Sequence, residues 1–269
     1  MLSRKQTVKS NQEWLRAYDE CVSVHSRASI QELEKRTLEG LTSALGRYSN
    51  PCNGWIAGKD SIALQLLVQK SGMACTPIIW RGINEYPEMR RWIDENKPRG
   101  IVESVIGKFT LGFLEANPQY LFCKGDTRNK WMAEKWKRQK SDMGKYGFDL
   151  MVLGRRLKDG NQCGKRSDGF VAKKNGYDVY SPMAEWTHEQ LLAYLRYNDL
   201  ELPPFYWWPR GFLIGSIAMG EWTERAGFGM SDNEVWQEIW QIDSSIVTSA
   251  AEKGLTSAID YLEGKDADC

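Results

Sequence analysis

At 269 residues with 42% hydrophobic side chains, the chain is long enough for one large or two small domains around a sizeable core. Its formal net charge of +1 gives no bulk attraction to a polyanion, so an anionic partner has to be sought in local charge. No apolar stretch approaches the ~20 residues of a membrane span and no targeting pattern follows Met1, so no membrane contact is expected and the expected location is the cytoplasm.

Residues 10–48 carry Trp14, Leu15, Tyr18 and Val22 at helical spacing. Ser29-Ile30-Gln31-Glu32 reads as a capping box ahead of Leu33, Leu38, Leu41 and Leu45. Strands and helices then alternate, with strands expected at 51–56, 75–81, 100–105 and 148–153 and helices at 60–71, 86–96 and 130–143. Such alternation predicts an α/β fold, a mainly parallel twisted sheet with helices on both faces, with extra N- and C-terminal helices. Ligands of such sheets bind beyond the carboxyl ends of the strands, where the loops after Ile56, Ile79 and Leu153 belong. From Asp159 to Gly176 the chain is rich in Gly, Lys and Asn and reads as a mobile loop or small hairpin. A helix is expected over 186–198, capped by Thr187, and helical structure again over 232–262, with Trp236 and Trp240 packing on one face. These divisions suggest an N-terminal extension 1–48, a central domain 49–220 and a C-terminal extension 221–269.

The most specific segment is Trp55-Ile56-Ala57-Gly58-Lys59-Asp60-Ser61, a turn between a strand and a helix. Unpaired N–H groups at a helix N-terminus bind phosphate, and glycine lets the backbone approach a ligand. Lys59 adds a point charge, read as exposed in the pocket, while Asp60 is placed to cap the helix and Ser61 offers a hydroxyl. The spacing is not that of the Walker loop, since Asn53 stands where its first glycine belongs. A Gly-Lys-Asp-Ser helix start without a ligand is the alternative for this segment taken alone.

Gly58, Lys59, Asp60 and Ser61 match the PP-loop, Ser-Gly-Gly-Lys-Asp-Ser, of the ATP pyrophosphatases and phosphoadenosine phosphosulfate (PAPS) reductases, with Ile56 and Ala57 in place of the first Ser and Gly. Three later segments resemble the same family in its order. Gly82, Tyr86, Pro87 and Glu88 match its second-strand loop; Gly154-Arg155-Arg156 resembles its anion loop, with Asp159 and Arg166 at stretched spacing; and Ser181-Pro182 through Gly215 resembles its Pro-Ile…Trp-Thr and Leu-Pro…Gly blocks. The resemblance covers roughly residues 40–220 and implies an adenine nucleotide α-hydrolase-like fold. It implies ATP or PAPS as ligand, magnesium at the leaving pyrophosphate with Asp60 near it, and reaction at the α-phosphate by pyrophosphatase or adenylyl-transfer chemistry. Lys59 and Asp60 become the candidate catalytic residues. Gly58, Lys59, Ser61, Gly82, Gly154, Arg155 and Arg156 become the candidate nucleotide ligands.

Two alternatives stay open. A true PAPS reductase needs a reactive cysteine, and the chain ends Asp266-Ala267-Asp268-Cys269, where the family has Glu-Cys-Gly-x-His. Acidic neighbours oppose thiolate formation at Cys269. None of the six cysteines forms a Cys-x-x-Cys pair, so no iron–sulfur cluster is expected, and two histidines exclude a His-rich metal centre. The other alternative is a catalytically silent module that binds nucleotide, nucleic acid or a protein partner. The basic segment Trp131–Lys140 with its two tryptophans has the cations for phosphates and the indoles for bases. The favoured reading of that segment is a solvated helix with Trp131 and Trp136 touching the core, while family resemblance puts Cys123 and Arg128 beside the nucleotide pocket.

Overall fold

The computed structural model describes residues 10–106, 110–122, 125–174, 176–220 and 230–267. The expectations that rest on Cys123 and Cys269 lie outside the described residues, as do those on the side chains of Arg128 and Trp131.

Two helices open the fold, α1 (Asn11–Val24) and α2 (Arg27–Leu45). Ser10 caps the first by accepting the Glu13 N–H, and Ser26 caps the second by accepting the Ser29 N–H. The capping box expected at Ser29 does not form: the cap is Ser26, one turn earlier, and the Ser29 hydroxyl donates to the Ser26 carbonyl. Next come β1 (Pro51–Gly54), α3 (Lys59–Ser71), β2 (Thr76–Gly82), α4 (Pro87–Asn96), β3 (Val102–Ile106), α5 (Leu111–Ala116), α6 (Gly125–Tyr146) and β4 (Leu150–Val152). Then follow β5 (Val171–Lys173), β6 (Asp178–Tyr180), α7 (His188–Tyr197), α8 (Gly211–Ile214), α9 (Asp232–Ile242), α10 (Ser244–Glu252) and α11 (Thr256–Ala267).

The strand order is β3-β2-β1-β4-β6-β5, parallel throughout except for the β5–β6 pair. Every residue of β1 and β4 is buried, as expected of central strands covered on both faces. From β1 the sheet grows one way through β2 and β3, and the other way through β4 and β6. The winding reverses between β1 and β4, whose carboxyl ends must therefore diverge into a crevice. The stretch after Asp159 takes the hairpin alternative: short 3₁₀ turns lead into β5, β5 pairs antiparallel with β6, and β6 joins the sheet in parallel beside β4. Strands of three residues leave too short an alternation to be read from sequence.

Thr187 caps α7 as expected, with a complete capping box to Gln190. Trp236 is buried edge-on against Phe122, and its indole N–H donates to Ser257 at 3.1 Å, which confirms a packing role. Both N-terminal helices pack against α7.

Candidate functional site

A cavity of about 750 Å³ opens at the carboxyl edge of the sheet, in the crevice between β1 and β4. Gly58, Lys59, Asp60 and Ser61 form one wall, Gly154, Arg155 and Asp159 another, and Tyr206 with Gly215 and Ser216 a third. The opposite side is formed by Trp136 and Gln139 of α6 and by Lys174 and Tyr177 around the β5–β6 turn.

The turn at Gly58 is held by its own side chains. The Ile56 N–H donates to Ser61 Oγ at 3.1 Å, and that hydroxyl donates to the Gly58 carbonyl at 2.9 Å. Tyr206 accepts the Lys59 N–H at 2.7 Å, so one of the first-turn amides of α3 already has a partner. Ala57 is fully buried with φ +54°, a left-handed conformation that costs a non-glycine residue roughly 1–2 kcal/mol. It stands where the resembling motif has glycine. Gly58 itself has φ −83°, and a Cβ there would meet nothing closer than 3.7 Å. Gly154 is the glycine that close approach requires: a Cβ would lie 2.7 Å from the Asp60 carbonyl oxygen. The loop after β4 thus rests directly on the first turn of α3.

The Lys59 side chain is not exposed in the cavity as the sequence suggested; the residue is 2% exposed. Its Nζ pairs with Asp60 Oδ2 at 2.7 Å and lies 5.6 Å from the centre of the Trp14 ring. Arg156 is fully buried as well. Its Nε donates to Asp60 Oδ1 at 2.8 Å, its Nη2 lies 2.9 Å from Asp159 Oδ2, and its Nη1 donates to the Thr187 carbonyl at 3.1 Å. The same Nη1 lies 3.3 Å from His188 Nδ1. With Nδ1 facing a donor, His188 is the neutral tautomer with its proton on Nε2. Burial, followed by the charges of Arg156 and Lys59, lowers its pKa from 6.5 to about 3. Two cations, Lys59 and Arg156, therefore face two carboxylates, Asp60 and Asp159, beneath the turn. This network is balanced in charge and rigid, and its net pull on an anion is small.

The cations left for a ligand are others. Arg155 and Lys174 are exposed on the cavity wall, and neither side chain has an ion-pair partner among the described residues. Arg155 and Arg156, adjacent in sequence, point to opposite destinations, one to the cavity and one beneath it. Gly82 lies away from the cavity wall, where its N–H donates to Glu85 Oε1 at 3.1 Å beside the Arg81–Glu85 ion pair. Lys174 and Tyr177 were not read as site features, because they depend on how the β5–β6 turn folds back; Asp159 was read into the anion loop, and the structure pairs it with Arg156. Tyr206 did carry a signal, since it lies in the Leu-Pro segment of the resemblance.

Magnesium fits Asp60 poorly as a protein-held ion, because both carboxylate oxygens already receive a cationic donor. Among the described residues no group of three His, Cys, Asp or Glu converges to hold a metal.

No protein-family model and no curated protein matches the sequence. Solved structures do resemble the fold. The PAPS reductase from Candida auris, solved as a phosphate complex, superposes with a TM-score of 0.50 at 14% identity, covering 66% of this chain and 90% of that one. NAD+ synthetase from Burkholderia pseudomallei gives a TM-score of 0.46 at 16% identity over 94% of this chain and 96% of that one. NMN synthetase from Francisella tularensis gives 0.45 at 14% identity over 80% and 87%. The likeness is one of fold: a mainly parallel six-stranded α/β sheet like that of the PAPS reductase structure.

Proposed function

We propose that the cavity binds an adenine nucleotide and that the protein is an enzyme acting at its α-phosphate, by pyrophosphatase or adenylyl-transfer chemistry. The observation that carries the reading is the convergence of the α3 N-terminus, Arg155 and Lys174 on a single cavity at the winding reversal of the sheet. The volume lies within the ~300–1,000 Å³ of small-molecule sites. Helix dipole and backbone amides attract phosphate, Arg155 offers a bidentate fork, and Lys174 adds a point charge. The apolar wall, with Leu153, Met151 and Val179, is suited to the flat face of a base. The Lys59–Asp60–Arg156–Asp159 network supports the turn from beneath and fixes the amides before the ligand arrives.

Calorimetry with ATP, AMP and PAPS tests the binding, and mass spectrometry of the incubated nucleotides identifies the products. AMP with pyrophosphate is the expected result; adenosine bisphosphate with sulfite is the signature of a reductase. Arg155→Ala should weaken ATP about tenfold or more and AMP less, because a charge-assisted bidentate contact is lost at the outer phosphates. Equal loss for both nucleotides, or none, counts against this placement of the phosphates.

A further inference from the structure

The acceptor in such a reaction is unassigned, and the side of the cavity formed by α6 has features the nucleotide reading does not use. Trp136 was expected to touch the core, yet it is 61% exposed while still lining the cavity mouth. Its position is imposed. Asp142, two turns further along α6, is 2% exposed and accepts from the Trp80 indole at 2.9 Å and from Ser104 at 2.6 Å, while Arg138 Nε donates to it at 3.2 Å. These bonds tie α6 to β2 and β3 and fix which face it turns to the cavity. Trp136 and Gln139, three apart, lie on that face, and Lys140 stands one turn beyond Trp136. Lys137 and Lys140 are exposed and have no ion-pair partner among the described residues. Across the mouth stand Arg155 and Lys174, unpaired as well.

We propose that a single-stranded nucleic acid lies across the cavity mouth, with one unstacked base on the Trp136 indole and its backbone phosphates on Lys137 and Lys140. This surface stands on its own geometry, apart from the nucleotide reading. A large exposed indole that is held in place is costly to leave in water and suited to a flat π-face. Unpaired lysines on the same helix supply the sequence-independent attraction that phosphates require. A base held in a duplex has no free face for the indole, which selects a single strand. The chain's charge of +1 means that these cations are a local concentration and not part of a uniformly basic surface.

The test is fluorescence anisotropy with labelled oligothymidine and oligouridine at low salt, without nucleotide, and calorimetry with ATP on the same variants. Trp136→Ala should weaken the oligonucleotide at least about fivefold and Trp136→Phe much less, because stacking tolerates any aromatic ring. Lys137→Gln and Lys140→Gln should each reduce the slope of log K against log salt by about 0.7. An unchanged urea midpoint shows that the exposed substitutions leave the fold intact. No binding at low salt overturns the proposal, as does binding indifferent to Trp136→Ala. Displacement by polyglutamate as effective as by unlabelled oligonucleotide also overturns it, since that marks a surface for acidic protein. Loss of ATP with retention of the oligonucleotide in Trp136→Ala overturns it too, placing the adenine on the indole. Oligonucleotide binding by a protein that fails to bind ATP would leave the surface standing and remove the proposed nucleotide function.

Discussion

Replacing Lys59 by alanine takes away one of the two cations on Asp60 and empties a buried space beside Trp14. A buried partner loss and a cavity both destabilise, so Lys59→Ala should cost about 2–3 kcal/mol in urea unfolding, discounted because Asp60 retains some contact with water. A midpoint within about 0.5 kcal/mol of wild type would show that the pair is unimportant to the fold. His188 gives a pH signature from the same network. Its folded pKa of about 3 lies below the unfolded value of 6.5, so the unfolded chain takes up the proton first. Its contribution to stability is complete above about pH 6.5 and is lost as pH falls toward 3. Arg156 and Lys59 face it from one side, Asp60, Asp159 and Glu189 contribute the opposite charge, and the Trp14 ring closes the site. Urea midpoints should therefore decline between pH 6.5 and 5, above the range of ordinary carboxylates, and His188→Gln should flatten that decline. An identical pH profile in the variant would rule His188 out as the cause.

At the level of elements, the site depends on how closely the loop after β4 lies on α3. Gly154→Ala places a methyl 2.7 Å from a backbone oxygen that belongs to a helix and cannot rotate away. The loop must shift, carrying Arg155 with it, at a cost of about 1–3 kcal/mol. Gly58→Ala meets only ordinary van der Waals contacts and keeps a conformation that alanine adopts, so its effect on urea unfolding should stay below about 1 kcal/mol. Equal destabilisation by the two substitutions would contradict the geometry. The pattern of strands and helices was legible in sequence because α3, α4 and the buried strands β1, β2 and β4 follow periodicity and capping rules within a short window. The position of Gly58, Asp60 and Ser61 at a helix start was legible for the same reason. Arg155 and Arg156 were indistinguishable in sequence, since which of two neighbours turns inward is set by Asp60, 96 residues away. Lys174 was hidden because a three-residue strand carries too little pattern to place it.

Taken whole, the molecule builds the site from distant parts of the chain. Trp14 of α1 packs edge-on against His188 at 4.6 Å and stacks with Phe212 at 5.9 Å, while Asn11 Oδ1 accepts the Phe212 N–H at 2.8 Å. The Tyr197 hydroxyl donates to the carbonyls of Val22 and His25. The N-terminal helix is thus the base on which the Lys59–Arg156 network rests. Truncation through His25 should lower the thermal midpoint and nucleotide affinity together. A truncated protein that melts and binds like the full chain would mark residues 1–25 as an independent extension.

The hydrogen bond from the Lys59 N–H to Tyr206 spans 147 residues of sequence. Synthesis proceeds from the N-terminus at roughly 5–20 residues per second, which puts these two partners about 7–30 s apart on the ribosome. Throughout that interval the Lys59 N–H lacks the Tyr206 hydroxyl that accepts it. The first helical turn of the site is therefore completed only after most of the chain has been made.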